Sequence, residues 1–486
     1  MNGLAWAAGY PMIKDDHPGT TPILLIGIVI KLWTFLAGRS DVVEFGLKNF
    51  DAIIYASRVA EAVILSGVLL VAGVIVRNAT RSALAAMLFQ VGPLVHLEAL
   101  QFEMMLTSEN LMVCCDIFGM ALALKAALDE RPPTVGLGVA GGVAFGLGLS
   151  SKFLHLPLAV LSVSLLRNRW AFTAAFLAGA ATFILFNAVF HPNVFRSGSR
   201  WVAYLLTHKS EGEAGIFDFK QFGRNIAEVI AATPVISAVF AAGALAALAR
   251  MQTSRRYLDP VSLTLLASSL TFAAYLVATS RHFYLHYMAA SWVLTGAVLV
   301  LTMIEIRRLF PAVSPRATGA VAATICAVLV GTTLLQARSE ALLWVALDHA
   351  GAKLSKAVVT AGPSCANVSG MSVRAPENEM NFGAEFTLGT PEMLDRFSEA
   401  YARVFKEPLL DHSFYHHLLT RNFRPHSYAQ LAAEYPCIVV RTGSELDATT
   451  SSGLLELPPE HCLVEGVQVY TVGIACEIFR GAAENG

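Results

Sequence analysis

The stretch YPMIKDDHPGTTPILL, Tyr10 to Leu25, sets two acids, a histidine and two prolines directly against an apolar run. The run continues to about residue 38, long enough for a helix crossing the roughly 30 Å hydrocarbon core, which needs about 20 mainly apolar residues. Asp15, Asp16 and His17 therefore fall at the edge of a bilayer. Ionisable groups are costly at membrane depth, so those that occur there mark candidate sites.

Working outward, further apolar runs occupy 58–77, 82–100, 109–127, 135–166, 169–190, 226–249, 260–280, 286–305 and 317–337. The block 135–166 is long enough for one kinked helix or two short ones, so ten or eleven spans are expected. The small residues of GLGVAGGVAFGLGLSS (136–151) would allow close approach of helix backbones. Composition agrees with an all-α polytopic membrane domain. Of 486 residues, 55% are hydrophobic and 15% charged, against roughly 25% charged in soluble domains. A net charge of -1 leaves no basic stripe for nucleic acid. The first nineteen residues lack the continuous apolar core of a cleavable signal peptide.

Beyond residue 337 the composition turns mixed. Strand-like YPCIVVRT (435–442) and VQVYTVGIACEIF (467–479), with the helical spacing of PEMLDRFSEAYARVF (391–405), predict a small α/β domain over 345–486. The expected organisation is thus a loop over 1–19, a membrane domain over 20–337 and a soluble C-terminal domain. Arg250, Arg255 and Arg256 in one loop, and Arg307, Arg308 and Arg316 in the loop two spans later, are cytoplasmic by the positive-inside rule. The segment 191–225, the turn 281–286 and the C-terminal domain then face the other side. Arg77, Arg81 and Arg131 call for a different parity, so loop charge orients only the second half. Cys365, Cys437, Cys462 and Cys476 all lie in the tail. In an oxidising compartment they can form two disulfides in three connectivities; otherwise they are four thiols.

The candidate chemistry lies in four places. The pair Asp15 and Asp16 can serve as a general base, bind a metal or hold a sugar hydroxyl, or simply end a loop before prolines that open a helix. Lys152, in LGLSSKFLHLP, either holds a phosphate or snorkels to the interface, with His155 on a similar face. The turn RHFYLHY (281–287) gathers Arg281, His282, Tyr284, His286 and Tyr287, suited equally to a phosphate headgroup and to an aromatic anchoring belt. Glu98, Glu103 and Glu109, bracketing QFEMMLTSEN, indicate a polar cavity. The adjacent histidines of SFYHHLL (413–419) lack metal spacing and read as structural. No Walker A, GxSxG, HExxH or dinucleotide fingerprint occurs.

Taken in order, these elements resemble the GT-C superfamily of polytopic glycosyltransferases, which includes aminoarabinose transferases and protein O-mannosyltransferases. DDHPGTTPILL is similar to the His-Pro element that opens the family's second helix, and FGLKNFDAIIYASR (45–58) to its Phe-Gly…Ala-Arg stretch. TSEN (107–110) falls where the family often carries an acid, GLGLSSKF (146–153) resembles its Gly-Leu-x-x-Leu-Thr-Lys-Gly motif, and SRHFYLHYMAA (280–290) its Arg-Tyr-Leu-Leu-Pro element. The likeness covers roughly residues 1–310. It implies transfer of a sugar from a polyprenyl phosphate carrier to a lipid, glycan or protein acceptor at the extracytoplasmic face of the cytoplasmic membrane. Lys152 would bind donor phosphate with Arg281 and Tyr284. Asp15 and Asp16 would be the catalytic acids, and His17, Glu109, His208 and His282 would line the cavity, His208 by its place in the long loop alone. The family's main catalytic aspartate follows a first helix. Only MNGLAWAAGYPMIK precedes Asp15 here, so the resemblance implies either a chain whose first helix lies upstream or substitution by Asp15 and Asp16. The chemistry requires no cofactor, and two carboxylates are too few to define a metal site. The rival readings are a transporter or flippase for a lipid-linked intermediate and a non-catalytic partner.

Overall fold

The computed structural model describes residues 1–12, 19–104, 108–191, 193–195, 208–210, 213–214, 219–255, 258–281, 285–361, 364–370, 380, 384, 387–405, 408–412, 419–442, 460–464 and 467–475. Its helices begin with α1 (Asn2–Ala7), α2 (Thr20–Leu36), α3 (Val42–Lys48) and α4 (Phe50–Thr80), then α5 (Ala83–Gln90) and α6 (Leu97–Met104). There follow α7 (Ser108–Leu128), α8 (Val135–Ser151), a 3-10 helix over Phe153–Leu165, α9 (Arg169–Phe190) and α10 (Phe219–Ala232). The membrane portion closes with α11 (Pro234–Ser254), α12 (Pro260–Arg281), a 3-10 turn over Leu285–Met288, α13 (Ala289–Trp292), α14 (Thr295–Leu309) and α15 (Pro315–Ala361).

Among the described residues six helices are long and apolar enough to cross a membrane, and seven if the bent pair 285–292 and 295–309 is one span. Three further apolar helices, Thr20–Leu36, Val135–Ser151 and Phe153–Leu165, are shorter. Two of the expected spans differ for local reasons. The run 82–100 forms α5 and α6 around a 3-10 turn at Gly92-Pro93, where proline supplies no amide to continue a helix. The run 286–305 is bent by 44°. These breaks meet: a Cβ on Gly92 would lie 2.1 Å from the Val293 carbonyl oxygen, and one on Gly296 2.0 Å from that of Leu88. Only glycine permits either contact.

The chain divides into two compact units. The larger holds residues 14–24 and 55–337. Its core includes Trp292, Tyr275, Phe240 and Met120, all fully buried, while Leu70, Phe176, Leu185 and Leu245 point outward, as lipid-facing side chains do. Helices α8 and α9 pack through small residues at four-residue spacing. Cβ atoms on Gly138, Gly142 and Gly146 would fall 2.1, 2.2 and 2.6 Å from the carbonyl oxygens of Ala171, Ala175 and Gly179.

The other unit holds residues 1–13, 25–54 and 338–486. It contains α16 (Pro391–Val404), α17 (Tyr428–Glu434) and a seven-stranded sheet in the order β6-β5-β4-β3-β7-β9-β8. The strands are β3 (Ala366–Gly370), β4 (Leu410–His412), β5 (Leu419–Arg421), β6 (Arg424–His426), β7 (Ile438–Thr442), β8 (Glu460–Val464) and β9 (Val467–Val472); β1 (His208–Ser210) and β2 (Glu213–Ala214) belong to the larger unit and pair with each other. Strand β3 runs parallel to β4 and β7, and the other neighbours are antiparallel. Cys365 and Cys437 are joined in a disulfide, and Cys462 is disulfide-bonded as well. Phe397 and Tyr401 of α16 pack with Leu4, Val43 and Leu47 in one apolar core. Asp41 caps α3 by accepting from the amides of Val43 and Glu44 at 3.0 and 3.1 Å, and pairs with Arg396 at 2.5 Å. Burial opposes ionisation of Asp41, but the two amides and the guanidinium hold its carboxyl below the usual carboxylate range.

Candidate functional site

Helix α8 stops at Ser151, and Lys152 takes an extended backbone, φ -156° and ψ 136°, before the 3-10 helix that contains Pro157. Pro157 has no amide proton and disfavours α geometry in the residues before it. The break turns the Lys152 side chain inward, where it forms a buried ion pair with Glu109. Glu109 lies in the first turn of α7, where helix amides favour an anion. The Lys152 ammonium sits 4.5 Å from the centre of the Tyr287 ring, within cation–π range. His286 packs edge-on against Tyr287, and its Nε2 lies 3.8 Å from Glu109 Oε1. Beside Glu109, the Asn110 amide donates to Glu61 Oε2 at 3.1 Å; Glu61 is 1% exposed.

A second network ties the GTT of DDHPGTT to the SSK turn. The Gly19 amide donates to the Ser151 carbonyl at 3.0 Å, and the hydroxyls of Thr21 and Ser151 are hydrogen-bonded. The Thr20 hydroxyl donates to Asn187 Oδ1 at 2.7 Å and lies 3.4 Å from His191 Nδ1, while the Asn187 amide donates to the Ser150 hydroxyl at 2.8 Å. Two stretches some 130 residues apart, each singled out in the sequence, thus join one residue from Lys152.

One pair stands apart. Asp116 and His155 are fully buried, with Oδ1 and Nδ1 2.6 Å apart. Seven residues from Glu109 to Asp116 is two helical turns, about 10 Å along α7 and nearly the same face.

Of the expected site residues, the structure brings Lys152 and Glu109 together. Arg281 ends α12, half-buried, next to Ser280, whose carbonyl accepts from Asn225 at 2.8 Å. Asp15, Asp16, His17, His282 and Tyr284 lie outside the described residues, as does the side chain of His208 on β1. The side chain of Glu103 is also outside them. Glu61 and Asp116 were not singled out in the sequence, although each is an acid inside an apolar run, which is itself a signal. Within RHFYLHY, His286 and Tyr287 are the described members that reach the Lys152–Glu109 pair. Among the described residues no group of three or more His, Cys, Asp or Glu could hold a metal ion.

These features define a polytopic, mainly helical membrane protein with buried ion pairs between its spans and a small strand-containing C-terminal region. No family model and no curated protein matches the sequence. The fold is similar to that of ArnT from Cupriavidus metallidurans: its apo crystal structure matches over 97% of this chain and 92% of that one, at TM-score 0.50 and 14% identity. A second crystal structure of that ArnT, bound to undecaprenyl phosphate, matches at TM-score 0.44 with 14% identity over 98% and 92% of the two chains.

Proposed function

We propose that the chain is a membrane glycosyltransferase that takes a sugar from a polyprenyl phosphate and passes it to an extracytoplasmic acceptor. The observation that carries this reading is the buried Lys152–Glu109 pair with the half-buried His286 and Tyr287 beside it, built at the SSK turn to which the GTT of the acidic motif is tied. The GT-C fold supports it, as does the motif order in the sequence. The acceptor hydroxyl attacks the anomeric carbon opposite the phosphate, and the carbon–oxygen bond to phosphate breaks with inversion. The electron pair stays on the phosphate, where Lys152 and Arg281 hold the developing charge. The hydroxyl proton goes to a carboxylate, assigned to Asp15 or Asp16. Tyr284 assists at the phosphate, and His17, His208 and His282 line the cavity with Glu109. No cofactor enters this scheme.

On this reading the protein lies in the cytoplasmic membrane with its C-terminal domain outside, which the disulfide-bonded Cys365, Cys437 and Cys462 and the arginine-rich loops of the second half support. Mass spectrometry without reduction should show linked tail peptides from cells; free thiols throughout would overturn this orientation.

Titration of the purified protein with polyprenyl phosphate tests the site. Lys152→Met should weaken binding at least tenfold, because a charge-assisted hydrogen bond contributes about 1.5–3 kcal/mol. Unchanged affinity would remove Lys152 from the site. The broken span at 285–309, bent by 44°, favours a second reading, a transporter or non-catalytic binder of the same lipid. Sugar turnover separates the two.

A further inference from the structure

Between α7, α8, the 3-10 helix 153–165 and α9 lies a cavity of about 580 Å³, within the roughly 300–1,000 Å³ range of ligand sites. Its wall is almost wholly apolar, and His155 is its one ionisable imidazole. Leu156, Phe176, Ile184 and Phe195, which line it, are all more than 45% exposed. On membrane helices such residues face acyl chains, so the cavity opens toward the bilayer and its occupant arrives through lipid.

The imidazole is held in place from two sides. Its ring lies against Gly148, where a Cβ would fall 2.5–2.7 Å from three ring atoms. Its Nδ1 faces Asp116 Oδ1 at 2.6 Å, and the described ion pairs give Asp116 no other cation. A net charge buried among apolar side chains at this depth is costly, so the Asp116–His155 pair favours an occupant that brings none. Nδ1 is sealed against Asp116, whereas Nε2 is not among the ring atoms closed off from contact. The wall therefore offers Nε2 of one imidazole and, among the described residues, no cation beyond the Asp116–His155 pair. Ser162, another polar member of the wall, already donates to the Ala159 carbonyl at 2.7 Å.

We propose that this cavity is a second lipid site, distinct from the one at Lys152, which binds a neutral membrane amphiphile by a carbonyl-type oxygen accepting from His155 Nε2. A phosphate would bring a full charge to a site whose polar groups are one imidazole, two hydroxyls and a thiol, with no cation to spare, so the neutral class is favoured.

The test is photolabelling of the full chain in nanodiscs with three diazirine probes of equal length: a long-chain ketone, the matching hydrocarbon and the matching alkyl phosphate monoester. The ketone should label peptides from 115–123 and 141–165 at least fivefold more than the hydrocarbon, with the phosphate no better than the hydrocarbon there. His155→Leu should bring ketone labelling down to the hydrocarbon level, and His155→Gln, which retains an N–H donor, should restore part of it. Equal labelling by ketone and hydrocarbon would show an acyl-filled groove without recognition and overturn the proposal. Preferential labelling by the phosphate, or ketone labelling unchanged in His155→Leu, would overturn it too. If the leucine variant does not fold, the three probes on the unaltered chain decide the matter alone.

Discussion

Helix α7 presents two buried acids two turns apart, and their surroundings differ. Glu109 faces Lys152 and His286, Lys152 lies over the Tyr287 ring, and the adjacent Asn110 donates to Glu61. Asp116 pairs with His155, which lines an apolar cavity, and has Tyr275 and Cys115 near it but no cation among its described ion pairs. The first acid belongs to a group in which charge can be redistributed when a ligand arrives. The second has one ion-pair partner among the described residues. The same pairing of carboxylate and base therefore suits the phosphate proposed for one place and the neutral ligand proposed for the other.

The largest expected effect breaks the isolated pair. His155→Ala leaves Asp116 buried without its only described ion-pair partner, which should cost about 3–5 kcal/mol of stability, measured by thermal or denaturant unfolding in detergent. Replacing both residues by leucine should recover much of that loss; a double variant as unstable as the single one would show that packing, not charge, dominates there.

Next comes the other acid. A phosphate arriving at Lys152 competes with Glu109, so Glu109→Gln should tighten polyprenyl phosphate binding several-fold, since the ammonium is then released from its carboxylate partner. Weaker binding in that variant would mean that Glu109 positions Lys152 instead of restraining it.

The smallest effect comes from a half-buried control outside the spans. Asp41 is held below the ordinary carboxylate range by the α3 amides and Arg396. Because the folded state lowers this group's affinity for protons, the stabilisation is complete above pH values near 3.8 and is lost as pH falls through the folded-state value. Asp41→Asn keeps a helix cap but loses the charge, so it should cost less than about 1 kcal/mol at neutral pH and flatten the acid limb of the stability profile. A loss as large as that for His155→Ala would erase the distinction between buried and half-buried pairs.

Much of this was legible in the sequence. The apolar runs at 169–190 and 260–280 coincide with α9 and α12, and the glycine-rich stretch 136–151 packs as small residues should. Lys152 was conspicuous as a cation between two apolar stretches, but its partner was not, because Glu109 is 43 positions away and no local rule links them. His155 gave a weak signal for the same reason: its carboxylate lies on another helix. The breaks at Gly92-Pro93 and near Val293 were hidden within apolar runs, since hydropathy averages over a window and registers neither a missing amide nor two backbones in contact.

The glycine contacts of α8 with α9 bear on position as much as on packing. Backbone touches backbone at three successive points, so the two helices cannot slide past one another by small steps. Lys152 follows directly on α8, whose 17 residues rise about 25 Å. The register of those three glycines acts as a ruler: a slip by one turn would carry the ammonium about 5.4 Å along the helix axis, past the reach of Glu109.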